Sequence, residues 1–139
     1  MKRSGVSSAC FLLLCSAAIT LACGTSGARM LQSVSVSPAT ADAQNYPGGQ
    51  VPFVATGFYT TNPAIVTPLA TEWGACYQQA STTDVLVDSH TGIASCKAGA
   101  VGTYTVFTSN TGGANGGCNV TTACGGGCFI TGTAQLTCP

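Results

Sequence analysis

The stretch Gly102-Thr103-Tyr104-Thr105-Val106-Phe107-Thr108 alternates between hydroxyl and apolar side chains with a period of two. Such alternation is typical of a β-strand that buries one face and exposes the other. The stretch Phe129-Ile130-Thr131-Gly132-Thr133-Ala134-Gln135-Leu136 shows the same pattern. No helical period of comparable quality occurs after the first 22 residues, so the sequence predicts an all-β fold.

Five more short strands are predicted before residue 102, each bounded by turn-forming residues. They are Val34–Val36, which Pro38 ends, Val51–Ala55 after Gly48-Gly49, Thr71–Trp73, Val85–Val87 and Ile93–Cys96. Seven short strands separated by turns predict an antiparallel β-sandwich. A tryptophan in a central strand fills the space between two sheets, so Trp73 is predicted in the core, with an exposed ligand platform as the alternative. Tyr104 is predicted to bury its ring and to use its hydroxyl to fix a corner of the chain.

The N-terminal segment has the parts of a secretory signal, because Lys2 and Arg3 precede an apolar run that ends in the small residue Ala22. The run Ile19-Thr20-Leu21-Ala22-Cys23 resembles the lipobox of bacterial lipoproteins, in which cleavage before the cysteine exposes its thiol for acylation. The resemblance implies a signal peptide over residues 1–22, lipidation at Cys23 and a tether over residues 23–30. An ordinary secretory signal cut near Ala22 and an uncleaved anchor are the alternatives.

Charge excludes one class of partner. After position 22 the chain keeps two basic residues, Arg29 and Lys97, against four acidic ones, which gives a net charge of −2. A surface so poor in positive charge lacks the electrostatic footprint that nucleic-acid binding requires. No nucleic-acid partner is therefore expected.

The cysteine count agrees with an oxidising compartment. With Cys10 and Cys15 in the signal peptide and Cys23 reserved for lipid, six cysteines are left, which is the even number that a disulfide framework needs. These disulfide candidates are Cys76, Cys96, Cys118, Cys124, Cys128 and Cys138. A metal site built from Cys118, Cys124 and Cys128 is the alternative, but an oxidising compartment and the lack of a nearby histidine disfavour it. We expect no metal and no cofactor.

Several weak motifs in series resemble the bacterial Ig-like domains of group two. They run from Leu31-Gln32-Ser33-Val34-Ser35-Val36-Ser37-Pro38 through the Trp73 strand and Thr91-Gly92-Ile93-Ala94 to Gly102-Thr103-Tyr104-Thr105-Val106. The likeness covers roughly residues 31 to 109. It implies an Ig-like sandwich of about seven strands over residues 31–139, of the kind found in bacterial surface and envelope proteins. A Gly- and Cys-rich insertion at residues 110–128 departs from the family pattern.

The Ig-like topology suggests disulfide pairings. The strands that end near Cys76 and Cys96 finish at the same pole of such a sandwich, which favours a bond between them. Cys118 with Cys128 is plausible at the opposite pole. Cys138 with Cys124 then requires the insertion to fold back along the edge of the sheet, so the topology and the pairings do not fit together easily.

Catalytic motifs are weak. His90, the one histidine, precedes Gly92 in a polar turn and is expected to be solvated. A hydrolase would need it in a pocket against Asp88 or Asp84. The two aspartates themselves are four residues apart, roughly 13 Å along a strand, which is wider than a glycosidase pair.

These observations predict a non-enzymatic, lipid-anchored Ig-like module of the bacterial cell envelope, facing the periplasm or the cell surface. Its expected role is structural or protein-interacting, with a protein or glycan partner and the insertion as the candidate contact surface. The alternative is a secreted carbohydrate-binding or inhibitor-like β-module, which would expose Phe58, Tyr59 and Tyr77 on one face.

Overall fold

The computed structural model describes residues 29–109, 124 and 131–139. The predicted signal peptide over residues 1–22, the lipidation site Cys23 and most of the tether lie outside these residues. So do Cys118, Cys128 and all of the 110–128 insertion except Cys124. The described residues form an all-β structure, which confirms the predicted fold class.

The eleven strands of the described residues are short, and two 3-10 turns, Ala43–Asn45 and Pro47–Gly49, lie between the second and the third. Each of the seven predicted strands has its counterpart among them, and β2, β5 and β7 are additional. The strands are β1 Leu31–Ser37, β2 Thr40–Asp42, β3 Val51–Pro52, β4 Val54–Tyr59, β5 Ile65–Val66, β6 Glu72–Tyr77, β7 Ala80–Ser81, β8 Val85–Val87, β9 Ile93–Cys96, β10 Gly102–Ser109 and β11 Thr131–Cys138.

The strands form two layers. In the first layer β4 pairs with β1 and β5, and β3 pairs with β9, which in turn pairs with β8. Only Phe53 separates β3 from β4, so these two three-stranded sheets are continuous. The second layer has the order β2-β11-β10-β6-β7. All pairs are antiparallel except β2 with β11, where Gln135 lies opposite Thr40. This is the Ig-like sandwich that the sequence predicts.

The core lies between the two layers and follows the period of two along each strand. In β11 the inward side chains Ala134 and Leu136 are buried, whereas Thr133 and Gln135, each one position before them, are exposed. The largest fully buried side chains are Phe53, Leu136, Val51, Val106 and Thr108. Trp73 is also buried in this core, as predicted.

Tyr104 fixes the start of β10. Its ring is buried in the core, and its hydroxyl donates a hydrogen bond to the backbone carbonyl of Val101 at 3.3 Å. The prediction of a buried ring with a corner-fixing hydroxyl is therefore confirmed. Tyr77 packs against the same ring, with 5.1 Å between the ring centroids.

Candidate functional site

The outer face of the first layer carries most of the exposed apolar side chains of the described residues. In β4 the residues Ala55 and Gly57 are buried, so Val54 and Phe58 point away from the core. Ile65 lies opposite Phe58, and Ile93 lies opposite Pro52, so these pairs share the outer face. We define the apolar face as the exposed residues Pro52, Val54, Phe58, Ile65, Leu86 and Ile93.

Charge is excluded from this face. None of the strands of the first layer, as the structure describes them, contains Asp, Glu, Lys or Arg. Residues 43–71 contain no charged side chain at all. The polar groups on the face are hydroxyls, for example those of Thr56 and Thr67, which lie 2.7 Å apart and share a hydrogen bond. The strands that carry the apolar face therefore present a hydrophobic surface with no charge of their own.

The outer face of the second layer has a different chemistry. Thr103 of β10 lies opposite Thr137 of β11, and Thr105 lies opposite Gln135, whose amide donates to the Thr105 hydroxyl at 3.3 Å. The exposed side chains here are mostly hydroxyls, together with the Gln135 amide and, at the start of β6, the Glu72 carboxylate. The two outer faces of the sandwich therefore differ, one apolar and one hydroxyl-rich.

A shallow cavity of about 280 Å³ lies at one end of the apolar face. Pro52 and Ile93 of the face form part of its wall, and Tyr46, Pro47 and Gln50 complete the lining. The cavity thus extends the apolar face towards the 3-10 turns and contains no titratable group except the Tyr46 phenol.

One disulfide ties the insertion to the second layer. Cys76 of β6 is bonded to Cys124, with 5.6 Å between their Cα atoms. Because Trp73 and Ala75 point into the core, Cys76 points outwards. Phe107 on the neighbouring strand packs against the two cysteines and is only 3% exposed, although it lies on an outer face. The disulfide therefore holds Cys124 on a small apolar cluster of the second layer.

The other disulfide joins the two layers. Cys96 at the end of β9 is bonded to Cys138 at the end of β11, with a Cα–Cα distance of 5.8 Å. Both cysteines pack against the core, as their neighbours Ala94 and Leu136 do. This bond closes the sandwich at the pole opposite the start of β1. The predicted presence of disulfide bonds is confirmed by these two.

Two of the three suggested pairings are wrong, however. Cys76 does not bond Cys96, because the two side chains lie on opposite sides of the second layer even though their strands end at the same pole. Cys138 does not bond Cys124, because each is bonded elsewhere. The suggested bond between Cys118 and Cys128 lies outside the described residues.

The Asp88–Gly92 turn holds His90 in solvent. The Nδ1 atom of His90 shares a hydrogen bond of 2.9 Å with the Ser89 hydroxyl, and the imidazole is exposed. The Asp88 carboxylate accepts hydrogen bonds from the backbone N–H groups of Thr91 at 2.8 Å and His90 at 3.0 Å. These N–H groups, Thr91 first, lower the pKa of Asp88 below its usual range. The carboxylate thus stabilises the turn, and His90 is exposed to solvent, as predicted.

Other predicted candidates are separated by the fold. Phe58 lies on the first layer and Tyr77 on the second, so they do not share a face. Tyr59 is partly covered by the guanidinium of Arg29, 3.9 Å from its ring centroid. Of the three cysteines proposed for a metal site, Cys124 is bonded to Cys76. Within residues 29–109, 124 and 131–139, no three His, Cys, Asp or Glu side chains are grouped as metal ligands.

Comparison of the chain with protein-family models and with curated protein sequences finds no match. Among the described residues, no helix has the length and apolar character to cross a membrane. The apolar face is the feature that the sequence did not predict. The alternation of β9 could have indicated this face, because Ala94 and not Ile93 points into the core.

Proposed function

We propose that this chain is a lipid-anchored Ig-like module of the bacterial cell envelope with a structural or protein-interaction role and no catalytic activity. The lipobox-like run that ends at Cys23 supports the anchor, and the motifs of residues 31–109 support kinship with the bacterial Ig-like domains of group two. Two disulfides within the described residues are typical of a domain that folds in an oxidising compartment such as the periplasm or the cell surface.

The apolar face is the observation that carries the interaction role. Contiguous exposed apolar surface is uncommon on monomeric proteins and marks interaction sites. Leu86 is 54% exposed and Ile93 41% exposed, and no charge lies on the strands that present them. A partner with a complementary apolar surface would bury these side chains. The hydrophobic contribution to binding is about 25 cal/mol for each Å² of apolar area removed from water.

Mass spectrometry of the protein extracted from membranes tests the anchor. We expect a mature N-terminus at Cys23 that carries acyl chains, and no free thiol elsewhere in the chain. An unmodified N-terminus near residue 23 in the culture medium would instead support the secreted alternative and would overturn the lipid anchor.

Site-specific photo-crosslinking in intact cells tests the interaction role. A crosslinker in place of Val54 on the apolar face is compared with one in place of Thr103, which is exposed on the second layer. We expect a discrete crosslinked product from position 54 that is lost in the Leu86→Glu variant and kept in a Thr103→Glu variant. Equal products from both positions would contradict a role for the apolar face.

The insertion stays a second candidate contact surface, and a deletion tests it. Deleting residues 112–127 removes Cys124 and leaves Cys76 without its partner. The deletion should therefore be combined with Cys76→Ser, and the Cys76→Ser/Cys124→Ser double variant is its matched control. Partner capture that the deletion abolishes and the control retains would assign the contact to the insertion.

A further inference from the structure

The start of the described chain is held firmly against the loop that joins β4 to β5. The backbone N–H of Met30 donates to the Thr60 hydroxyl at 3.1 Å, and the backbone N–H of Thr60 donates to the Met30 carbonyl at 3.0 Å. The Arg29 guanidinium donates to the Pro63 carbonyl at 2.7 Å and covers the ring of Tyr59. The described chain therefore begins at this end of the domain.

The same end exposes apolar side chains. Met30 is 63% exposed and Ile65 is 60% exposed, and Phe58 lies opposite Ile65 in the register of β4 and β5. We call Met30, Phe58 and Ile65 the apolar tip. Residues 60–64 between them are exposed and carry no charge. Nothing at the tip would need to lose the hydration of an acidic group on entering an apolar environment.

Charge at the tip is positive. Arg29 is one of only two basic residues after position 22, and the other, Lys97, lies with Asp84 on the β8–β9 side, where its backbone N–H donates to the Asp84 carbonyl. The acidic residue nearest in the sequence is Glu72, which begins β6 in the other layer, opposite Ser109, and so lies at the same pole but on the other sheet. A cation beside exposed apolar side chains suits the boundary between anionic headgroups and acyl chains.

The chain length between Cys23 and Arg29 fixes how far the tip can be from an acylated cysteine. Six Cα–Cα steps separate the two residues, and a fully extended chain spans at most about 3.6 Å per residue, so the reach is about 22 Å. A tether this short keeps the tip within about 22 Å of the acylated cysteine, so the tip is the part of the described domain nearest to the anchor.

We infer that the apolar tip lies in the interfacial region of the lipid bilayer, with Met30 and Ile65 at the acyl boundary and the Arg29 guanidinium among the lipid phosphates. This inference rests on the lipid anchor at Cys23 that the proposed function assigns. It also sets an orientation, because β3 and β4 run from the tip towards Val51, roughly 26 Å away, and the Cys96–Cys138 bond lies beyond. Phe58 and Ile65, which the apolar face shares with the tip, then lie at the membrane. The rest of the face, with Val54, Leu86 and Ile93, is open to a partner in the aqueous phase.

Quenching by bromine-labelled acyl chains tests the inference on the lipid-modified protein, reconstituted into vesicles of phosphatidylethanolamine and phosphatidylglycerol. Ile65→Trp reports on the tip, and Leu86→Trp is its matched control, since Leu86 is about as exposed on the same layer but outside the tip. Trp73 is a constant background in both variants and is measured in the parent protein. Near-ultraviolet circular dichroism checks that both variants keep the fold.

We expect the emission added by Ile65→Trp to be quenched at least threefold more than the emission added by Leu86→Trp. Equal quenching of the two, with Cys23 acylated, overturns the inference and leaves the anchor intact. A Cys23 without acyl chains in the same sample overturns the proposed anchor and the inference together.

Hydrogen exchange of the unsubstituted protein provides a second measurement that needs no variant. We expect the backbone N–H groups of residues 60–62 and 64 to exchange at least fivefold more slowly in vesicles than in detergent-free solution after the lipid is removed enzymatically. Protection that occurs in native envelope fragments but not in pure lipid vesicles would show that a protein partner covers the tip, and it would overturn the lipid assignment.

Discussion

Gly92 lies directly against the indole of Trp73. A Cβ atom at Gly92 would be 2.7 Å from Cε2 of Trp73 and 2.7 Å from the carbonyl oxygen of Phe53. Its φ is +73°, a conformation that L side chains rarely adopt. The turn between β8 and β9 therefore closes onto the core only with glycine at this position, and the backbone N–H of Phe53 donates to the Gly92 carbonyl at 3.1 Å.

Gly92→Ala should be strongly destabilising. The left-handed conformation costs about 1 kcal/mol for alanine, and overpacking against Trp73 adds about 2 kcal/mol. Gly99→Ala is the matched control, because its φ is +85° but nothing lies within 4 Å of a built Cβ. We expect the control to lose only about 1 kcal/mol. Urea unfolding measures both, and equal losses would show that contact with Trp73 does not matter.

The two disulfides should be recovered by peptide mapping without reduction. We expect peptides that link Cys76 to Cys124 and Cys96 to Cys138, and a peptide that links Cys76 to Cys96 would contradict the structure. The bonded residues are 48 and 42 positions apart, so in the chain-entropy model each bond contributes about 4 kcal/mol. Replacing either pair with serine should lower the free energy of unfolding by up to that amount, with the far-ultraviolet spectrum unchanged.

Alkaline pH should destabilise the protein through Tyr104. Burial, followed by the nearby Asp84 and Tyr77, raises the pKa of Tyr104 above its ordinary value of 10.0. The unfolded chain therefore ionises this phenol first, and the stability that the neutral phenol contributes is lost as the pH rises above about 10. Urea midpoints between pH 8 and pH 12 should fall less steeply for Tyr104→Phe. Parallel curves for the two proteins would refute this.

Acid should destabilise the β8–β9 turn, because it protonates the Asp88 carboxylate. Hydrogen bonds from the Thr91 and His90 backbone lower the pKa of Asp88 below 3.8, so its contribution to stability is present above that pH and is lost as the pH falls through the lowered pKa. Asp88→Asn keeps an oxygen acceptor but does not titrate. We expect the parent to be more stable than this variant at pH 6 and the difference to shrink by pH 2. A difference that is constant with pH would contradict the assignment.

The strands were predictable because their signals are local. Alternation in β10 and β11, together with the turn residues around Gly48-Gly49 and Gly92, is enough to give seven strands in the right order. The burial of Trp73 and Tyr104 was predictable as well, since large aromatics in strands fill the space between sheets. The added strands β2, β5 and β7 have two or three residues each, which is too short for a period of two to show.

The cysteine pairing was not predictable in the same way. The ends of β6 and β9 lie at the same pole of the sandwich. This position does not determine on which side of its sheet each cysteine side chain lies. Counting the alternation from Trp73 places Cys76 on the opposite side of β6, since Cys76 is three positions further along the strand. No comparable reference existed for Cys124, because it lies in an insertion without alternation.

The sequence by itself determined the all-β class, the order of the main strands and the even set of six candidate cysteines, because period, turn residues and cysteine count are properties of the chain alone. Only the tertiary structure decided which face of β9 is buried. A local pattern would bury Ile93, but Gly92 must lie against Trp73, and that contact turns Ala94 and Cys96 inwards. Ile93 is thereby left on the outside beside Pro52, so this part of the apolar face is a consequence of how the core packs.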